Sequence, residues 1–425
     1  MSVIVAGGGM AGAACASELA KNGIDVTLID RHDYTQFQPL LYQVATSQLP
    51  AEDIARPLAR MFRDRAQVTV VTGEVTAIDV GMRTVTTDAR TFGPADQLVL
   101  AAGSQANFFG VPGAAEHAFP LYTVRDAELL RRHLRDRLRE LSKPDSDGAL
   151  TVVICGGGAT GVEIAGALAE LFRALLDDGK LVGRATVRLV ELGKVLLAPF
   201  TDRSHRYALG KLTKMGVDVT FGVAVSSVDI DSATLSDGST VATDTVIWAG
   251  GISGASLVAS SSITPGRGGR IDVAADLTVP GHPDVFAIGD VANVPDPAGG
   301  TFPQLGSVAQ QSGTWVAKNI RALREGKAPT PFHYHDKGIM AMIGRNAAVA
   351  EVGPHRHQLE GPFAFAAWLG LHGALLSGFH EKGDALMNWA DDYIHHARAA
   401  DLELEESVGR IAWSDDASDR PNLEL

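Results

Sequence analysis

Two stretches of the chain repeat one order of apolar and polar positions. Residues 2–6 are a β-branched run, followed by glycines, an alanine-rich segment to about Lys21, and a second apolar run at Asp25–Asp30. The same order returns within residues 150–191. A short apolar run predicts a buried parallel strand, and the longer segment after it predicts a crossover helix. The sequence therefore predicts two βαβ units that begin about 150 residues apart.

The segments around these units predict further strands and helices. A charged helix is predicted over Asp126–Ser142, and the polar run KPDSDG at 143–148 is typical of a linker into the second unit. A second additional helix is predicted from Ser307 to Arg324. Strands are predicted over 68–80, 83–87, 97–101, 217–250, 284–290 and 332–352.

We therefore predict an α/β fold with two Rossmann-like dinucleotide-binding domains, one inserted into the other. Residues 1–120 and 271–325 build the first domain in this prediction, and residues 121–270 form the second. Residues 326–425 add strands, an amphipathic helical region and an acidic tail.

Composition and charge narrow the function classes. The 425 residues are enough for two or three domains with cores. A net charge of −13 without a basic stripe argues against nucleic-acid binding. Residues 381–425 carry twelve Asp and Glu against four Lys and Arg, so the excess acid lies largely at the C-terminus. Cys15 and Cys155, the two cysteines, form no CxxC pattern, which disfavours a redox dithiol or zinc site and fits a cytoplasmic protein.

The first glycine motif follows the first predicted strand. Gly7, Gly9 and Gly12 fit the pattern G-x-G-x-x-G, in which the glycines allow a tight turn and close approach of a pyrophosphate. The helix that follows directs its N-terminus at that anion. Asp30 ends the next strand, where a carboxylate accepts hydrogen bonds from ribose hydroxyls.

The second glycine motif repeats the first. Gly156, Gly158 and Gly161 occupy the same spacing, and Glu191 ends the strand after the helix. A carboxylate there favours the free 2′-hydroxyl of NADH over the 2′-phosphate of NADPH. One such motif is weak evidence, whereas two with the same strand and acidic context predict two bound dinucleotides.

A Gly-Asp pair after the predicted strand 284–290 adds a third element. Asp290 can bind the ribitol of a flavin, and the helix after it can direct its N-terminus at the isoalloxazine. A Gly-Asp pair after a strand is common, so it supports flavin binding only in combination with the two glycine motifs.

Together the motifs resemble those of type II NADH dehydrogenases, the single-subunit, non-pumping NADH:quinone oxidoreductases. The most specific stretch is FQPLLYQVA at 37–45. Other matching stretches follow in the family's order over about residues 1–400: GGGATGVEIAGALAEL (156–171), TVIWAGG (245–251), VPGHPDVFAIGD (279–290) and DKGIMAMIGRNAAVAEVG (336–353). The wider group is the flavin reductases with two dinucleotide domains that resemble glutathione reductase. The cysteine count disfavours relatives that use active-site cysteines.

The resemblance implies which residues hold FAD and NADH. The residues implied for FAD are Gly7, Gly9, Gly12, Asp30, Arg31, Gly289 and Asp290, with Gln38, Pro39 and Leu40 against the flavin and Gly103 in a matching turn. The residues implied for NADH are Gly156, Gly158, Gly161 and Glu191, with Gly250 and Gly251 near the nicotinamide.

The resemblance also implies three residues close to the chemistry. Glu163 matches a glutamate where nicotinamide meets flavin, Lys337 a lysine on the quinone side, and Gln311 a glutamine in the helix after Gly-Asp. Alternatives stay open: a solvated first-turn glutamate for Glu163 and a strand-end surface charge for Lys337. Gly306–Ser307 replaces the family's Ala-Gln, a departure on the quinone side.

The segment 361–380 contains no Asp, Glu, Lys or Arg. A helical pattern places Gly370, Gly373, Ser377 and His380 on one face and Trp368, Leu371, Leu375 and Phe379 on the other, and Leu386, Trp389 and Tyr393 continue the apolar stripe. Two interpretations stay open: peripheral binding at the inner face of the cell membrane, or packing in the core or in a homodimer of a soluble enzyme.

The sequence leads to one main hypothesis and two alternatives. The main hypothesis is hydride transfer from NADH to FAD N5 and then two-electron transfer to a quinone. The second is a soluble reductase of a small quinoid or aromatic compound, or of a carrier protein. The third is a non-enzymatic nicotinamide sensor. No metal is expected, and His205, His282, His333 and His335 are interpreted as structural or surface residues.

Overall fold

The computed structural model describes residues 1–353 and 355–375, which fall into two compact units. Unit 1 contains Met1–Gln36, Ala55–Gln105 and Ile252–His335. Unit 2 contains Phe37–Ile54, Ala106–Gly251 and the described residues from Asp336 onward. The predicted cofactor domains, 1–120 with 271–325 and 121–270, remain a prediction about cofactor binding.

The described residues form ten α-helices and twenty-six β-strands. The helices are α1 (Met10–Lys21), α2 (Leu41–Ala45), α3 (Ala51–Ile54), α4 (Leu58–Met61), α5 (Ala114–His117), α6 (Val124–Leu141), α7 (Ala159–Asp177), α8 (Asp202–Lys214), α9 (Gly306–Arg324) and α10 (Pro362–Leu375). The strands are β1 (Ser2–Ala6), β2 (Asp25–Asp30), β3 (Tyr34–Gln36), β4 (Ala55–Pro57), β5 (Val68–Thr72), β6 (Val75–Asp79), β7 (Thr84–Thr87), β8 (Thr91–Phe92), β9 (Gln97–Leu100), β10 (Ser104–Ala106), β11 (Ala118–Pro120), β12 (Ala149–Cys155), β13 (Arg184–Glu191), β14 (Asp218–Phe221), β15 (Val225–Val228), β16 (Ser232–Leu235), β17 (Thr240–Ala242), β18 (Thr245–Trp248), β19 (Ile252–Gly254), β20 (Ile271–Asp272), β21 (Thr278–Val279), β22 (His282–Ala287), β23 (Ala292–Asn293), β24 (Gly338–Gly344), β25 (Ala347–Val352) and β26 (His357–Gly361).

Unit 1 is built on a six-stranded sheet in the order β21-β22-β9-β1-β2-β5, parallel except for β21. The first predicted βαβ unit is β1, α1 and β2. Val5 lies in the centre of the sheet, in register with Leu28 on one side and Val99 on the other, and all three side chains are buried. Helix α9 packs closely on α1, because a Cβ at Gly313 would collide with the Ala11 carbonyl.

Unit 2 is built on a five-stranded parallel sheet in the order β11-β18-β12-β13-β14. The second predicted βαβ unit is β12, α7 and β13. Helix α6 begins at Val124, two residues before its predicted start, because Thr123 and Asp126 form a capping box. The predicted α/β class with two parallel-sheet dinucleotide folds is confirmed.

Three antiparallel sheets of three strands each add to the two units. Strands β6, β7 and β8 form one in Unit 1, and β15–β17 and β24–β26 form two in Unit 2. Residues 332–337 are not a strand as predicted, since β24 begins only at Gly338, and β26 was not predicted. The β24–β26 sheet lies against α7, where a Cβ at Gly166 would collide with the Ile343 carbonyl.

The predicted apolar face of helix α10 is only partly buried. The pattern places Trp368 with Leu371 and Leu375, but Trp368 is 0% exposed while the two leucines are 38% and 41% exposed. Ala364, one turn before Trp368, is also buried, and the helix packs on β24, β25 and β26. Trp368 is therefore packed within Unit 2 while the two leucines remain exposed, so both interpretations of this segment stay predictions.

The remainder of the predicted C-terminal stripe, including Ser377, Phe379, His380, Leu386, Trp389 and Tyr393, lies outside the described residues. Within residues 1–353 and 355–375, no helix combines the length and the apolar character that crossing a bilayer requires.

Candidate functional site

The first glycine motif forms the turn between β1 and α1 in Unit 1. Gly7 has φ +113°, and a Cβ there would collide with the Ala101 carbonyl at the end of β9. Gly9 is the N-cap residue of α1, which receives no side-chain cap. A Cβ on Gly9 would meet no protein atom within 4 Å. The loop therefore opens towards space at the N-terminus of a helix, the geometry that suits an anion.

Asp30 holds this loop from the end of β2. Its Oδ2 accepts a hydrogen bond from the Gly8 N–H at 2.5 Å, and its Oδ1 accepts one from the His32 N–H at 2.8 Å. Each carboxylate oxygen has a second lone pair that remains for a ribose hydroxyl. Arg31, the neighbour assigned by resemblance, is an exposed residue whose Nε lies 3.1 Å from His32 Nε2.

A hydrogen bond from Ser104 joins the Gly-Asp element of Unit 1 to a second turn. The sequence did not single out this serine. Gly289 has φ +69° and donates its N–H to Ser312 Oγ at 3.1 Å. Asp290 Oδ2 accepts from Ser104 Oγ at 3.2 Å, directly after the predicted Gly103 turn. Burial raises the pKa of Asp290, and the Ser104 hydrogen bond together with the nearby Arg270 charge offsets part of that rise.

The start of α9 differs from the pattern expected on the quinone side. Ser307 Oγ lies 2.8 Å from Tyr334 Oη, a hydroxyl pair in place of the family's glutamine. The Gln311 amide is engaged at both ends by His335, donating to its carbonyl at 3.0 Å and accepting from its N–H at 2.9 Å. Gln311 therefore anchors the segment before β24, and its contact with a quinone remains a prediction.

The second glycine motif has the same construction in Unit 2. Gly156 has φ +105°, and Gly158 is the N-cap residue of α7, again without a side-chain cap. A Cβ on Gly158 would meet no protein atom within 4 Å. Glu191 Oε2 accepts from the Gly157 N–H at 2.6 Å, and Oε1 accepts from the Gly193 N–H at 2.5 Å. Two separate carboxylates thus hold two glycine loops in one geometry.

The predicted Gly250–Gly251 turn follows β18. Gly251 has φ +144° and its carbonyl accepts from the Asn107 N–H at 3.0 Å. Trp248 Nε1 donates to the Asn107 carbonyl at 2.7 Å, so the turn is tied to the segment before α5. The Phe109 side chain is 65% exposed, and a Cβ on Gly251 would lie 3.1 Å from its ring.

Glu163 is buried and does not lie at the surface. It is the fifth residue of α7, 9% exposed, and its Oε1 accepts from the Met342 N–H of β24 at 3.1 Å. Burial raises the pKa of Glu163 to about 8, an effect that the hydrogen bond from the Met342 N–H partly opposes. The alternative of a solvated first-turn glutamate is therefore wrong, because α7 turns this residue inward.

Tyr42 of α2 is also buried, close enough to Glu163 to be affected by its charge. Burial and then the Glu163 and Glu170 carboxylates raise the pKa of Tyr42 well above its ordinary range, while a Gln43 hydrogen bond opposes the rise. Gln43 Nε2 donates to Tyr42 Oη at 3.0 Å. Tyr42 lies within the stretch 37–45 that carries the resemblance, but nothing local in the sequence indicated that it lies near Glu163.

The remaining residues that the resemblance places near the flavin or the quinone are Gln38–Leu40 and Lys337. Gln38–Leu40 form a 3-10 turn that leads into α2 in Unit 2, with Leu40 buried. Lys337 is exposed, immediately before β24. In the described part of the chain, no group of three or more His, Cys, Asp or Glu side chains could hold a metal ion.

Comparisons with known proteins decide the family. The model of the pyridine nucleotide-disulphide oxidoreductase family matches residues 1–313. The type II NADH:quinone oxidoreductase Ndh of Mycobacterium tuberculosis is 34% identical over 417 residues, which cover 93% of this chain and 89% of the relative. The type II NADH:quinone oxidoreductase of Staphylococcus saprophyticus is 30% identical over 361 residues, covering 82% and 89%.

The chain belongs to the type II NADH:quinone oxidoreductases. Two solved structures share the fold of this family member. The NDH2 of Plasmodium falciparum in complex with NADH has a TM-score of 0.84 at 18% identity, covering 94% of this chain and 99% of that chain. The sulfide:quinone oxidoreductase of Aquifex aeolicus has a TM-score of 0.74 at 20% identity, covering 95% and 96%.

This type II oxidoreductase has only free cysteines, although the matching family model is named for disulphide chemistry. Burial raises the pKa of the Cys155 thiol to about 12, and burial raises the pKa of Cys15 even further. Both thiols are protonated at neutral pH and are poor nucleophiles. Electron transfer in this chain therefore depends on bound cofactors.

Proposed function

We propose that this chain transfers two electrons from NADH, through bound FAD, to a quinone. The observation that carries the proposal is the pair of glycine loops, each held by one carboxylate, Asp30 in Unit 1 and Glu191 in Unit 2. The named activity of the M. tuberculosis and S. saprophyticus relatives supports the same reaction.

The residues present fit two dinucleotides. At Gly9 and at Gly158 the structure leaves open space where any side chain would stand, beside the uncapped N-terminus of a helix. A diphosphate placed there meets backbone N–H groups and the positive end of the helix dipole. We propose that Unit 1 binds FAD and that Unit 2 binds NADH.

The polar side chains around the two loops then have distinct binding roles. Asp30 and Glu191 accept from ribose hydroxyls while they keep their loops closed, and the charge of Glu191 disfavours a 2′-phosphate. Ser104 orients the Asp290 carboxylate for a ribityl hydroxyl. When bound, FAD supplies the chemistry of accepting a hydride and passing its electrons on.

The reaction consumes a proton, and Glu163 is the residue that we propose supplies it. The reaction takes one hydride from NADH and one further proton, and yields NAD+ and a quinol. Glu163 is the buried carboxyl group of α7 with a pKa raised to about 8, so it carries a proton at neutral pH. We propose that Glu163 donates this further proton to the acceptor oxygen and is then reprotonated from solvent.

A second candidate function is supported by the start of α9. Ser307 is bonded to Tyr334 where the family pattern has a glutamine, and both ends of the Gln311 amide are engaged by His335. These contacts favour a reductase that uses a small quinoid or aromatic acceptor. Lys337, exposed before β24, remains a proposed contact on the acceptor side.

We also propose that α10 touches the inner face of the cell membrane. Phe363 is 82% exposed, and Leu371 and Leu375 are also exposed on this helix. An uncharged helix with exposed apolar residues suits interfacial binding. Flotation with phosphatidylcholine vesicles tests the contact, and Phe363→Ser should lower the bound fraction. A homodimer, the other expectation, is tested by light scattering.

Stopped-flow absorbance tests the main proposal. The purified holo-protein is mixed with NADH, and the absorbance of oxidised flavin is followed. Bleaching by NADH, followed by recovery on addition of menadione or a short-chain ubiquinone, is the expected result. Absence of bleaching by NADH and by NADPH would sink the proposal. Bleaching followed by recovery with menadione but not with the ubiquinone favours the second candidate.

A further inference from the structure

The carboxyl ends of three parallel strands meet at one edge of the main sheet of Unit 2. Strand β12 lies between β13 and β18 in the order of that sheet. The second glycine motif follows β12, Glu191 ends β13, and Gly250 and Gly251 follow β18. The turns after β12 and β18 are in contact, because a Cβ on Gly156 would lie 3.1 Å from the Gly250 Cα. The three candidate binding elements of Unit 2 therefore stand side by side along the edge of one sheet.

This strand order gives a direction to a dinucleotide bound by Unit 2. In the proposed function, Glu191 accepts from the adenosine ribose, and the diphosphate lies at the N-terminus of α7. A dinucleotide lies extended across the carboxyl ends of the strands, so its other half continues past β12 to the end of β18. The nicotinamide is thereby directed to Gly250 and Gly251. A side chain exposed beside that turn is placed to meet it.

Phe109 is exposed beside the turn after β18. Its side chain is 65% exposed, and a Cβ on Gly251 would lie 3.1 Å from its Cζ, so the ring stands where a side chain of residue 251 would be. The preceding residue, Phe108, is half-buried and packs on the core residue Trp248 with the ring centroids 5.5 Å apart. Packing in the core explains Phe108, whereas the exposed ring of Phe109 needs another explanation.

The backbone of Phe109 is held in a conformation that bulky residues rarely adopt. Its φ is +52°, in the left-handed region. Asn107 Oδ1 accepts from the Phe109 N–H at 2.8 Å. Asn107 is itself bound to the turn after β18, because its N–H donates to the Gly251 carbonyl at 3.0 Å and its carbonyl accepts from Trp248 Nε1 at 2.7 Å. Strain of this kind persists where the surroundings over-determine it, and it clusters at ligand sites.

We infer that Phe109 binds the nicotinamide half of NADH: its exposed ring packs against the nicotinamide at the end of β18 and shields it from water. Two planar rings gain from offset stacking, and the contact removes apolar surface of both from water. The inference rests on the proposed function, which places NADH in Unit 2. It adds a substrate contact that is specific for the nicotinamide, since the adenosine and the diphosphate lie over β13 and β12.

The test compares two ligands that share the adenosine diphosphate part. NADH is titrated against the holo-protein by stopped flow, and its Kd is obtained from the rate of flavin bleaching at each concentration. ADP-ribose, which lacks the nicotinamide, is measured by its inhibition constant in menadione reduction. Phe109→Ala should raise the Kd for NADH about tenfold and Phe109→Leu about threefold. The inhibition constant of ADP-ribose should stay within about twofold of the wild type in both variants.

Glu191→Ala is the opposite comparison. It removes an acceptor on the adenosine side, so it should weaken NADH and ADP-ribose together. Ile230→Ala is the matched control for loss of an exposed apolar side chain. Ile230 is 72% exposed in the loop between β15 and β16 of the same unit, and both constants of this variant should equal those of the wild type.

Phe109→Gly separates the ring from its backbone. Glycine adopts a positive φ without strain, so the melting temperature should not fall, while the Kd for NADH should rise as in Phe109→Ala. A melting temperature below that of the wild type together with an unchanged Kd would show that the ring serves the fold, and would overturn the inference.

The outcomes distinguish this inference from the proposed function. If NADH bleaches the wild type and Phe109→Ala with the same Kd, the role of Phe109 fails and the proposed function stands. An equal weakening of NADH and ADP-ribose in Phe109→Ala also overturns the role, because the variant then acts on the whole site and not on the nicotinamide. If NADH does not bleach the wild type, the proposed function fails, and the inference fails with it.

Discussion

Replacement of Glu163 by glutamine should make the protein more stable at alkaline pH. Burial raises the pKa of Glu163 to about 8 from 4.5 in an exposed glutamate. The native state therefore holds this proton more tightly than the unfolded chain. Its contribution to stability is fully present below about pH 4.5 and is lost as pH rises towards about 8. Glutamine keeps an acceptor for the Met342 N–H and does not titrate.

The size of the effect follows from the two pKa values. Between about pH 5 and about pH 8, the difference in proton binding by one such group changes the free energy of unfolding by about 3.5 kcal/mol. Measured against the wild type, Glu163→Gln should therefore gain about 3.5 kcal/mol over that range. A difference of this size is large beside the total stability of most proteins.

Urea unfolding at a series of pH values is the assay, with tryptophan fluorescence and circular dichroism compared at each point. Glu351→Gln is the control of opposite sign. Burial acts to raise the pKa of Glu351, but hydrogen bonds from Thr201 and Ser204 outweigh it and the net pKa is lowered. That variant should lose stability above the ordinary glutamate pKa. A stability difference between Glu163→Gln and the wild type that does not change with pH would refute the reasoning.

Three further predictions concern the cofactor loops. Glu191→Ala should lower the preference for NADH over NADPH by at least about tenfold in kcat/KM, since a charged acceptor is lost; an unchanged ratio in steady-state assays removes the assignment. Ser104→Ala should speed FAD loss, followed by flavin fluorescence, because the Asp290 carboxylate loses its donor; unaltered retention contradicts this. Gly158→Ala should fold normally but raise the KM for NADH. Gly161→Ala should instead lower the melting temperature, because its Cβ would collide with a backbone carbonyl. Equal effects of the two variants on KM and on melting temperature would contradict the geometry.

The two dinucleotide folds could be predicted from the sequence because their signals are local. Gly7 and Asp30 lie within one βαβ unit, and Gly156 and Glu191 lie within the other. In each unit, the periodicity of the residues between glycine and carboxylate places both at the ends of neighbouring strands. The hydrogen bonds that close each loop, Gly8 to Asp30 and Gly157 to Glu191, follow from that placement.

The surroundings of Glu163 could not be predicted in the same way. Tyr42, Met342 and Trp368 come from elements far apart in the chain, and no periodic pattern relates them. The burial of Trp368 depends on how α10 packs on β24–β26, and β26 itself has alternating exposed positions with little apolar signal. Long-range packing therefore decided the surroundings of the residue that the resemblance singled out.

The segment of residues 37–54, which is inserted between β3 and β4, limits how this chain can be altered. It leaves β3 and returns into β4, and its two ends stay paired, with Gln36 opposite Ala55 and the Phe37 N–H donating to the Ile54 carbonyl at 2.8 Å. Because its ends are paired, the register of β3 and β4 is set by the two strands themselves and not by the segment between them. The interior of the segment is nearly all buried, from Leu40 and Tyr42 to Leu49 and Ile54, so a replacement of residues 37–54 keeps the strands in register only if it also refills the core of Unit 2.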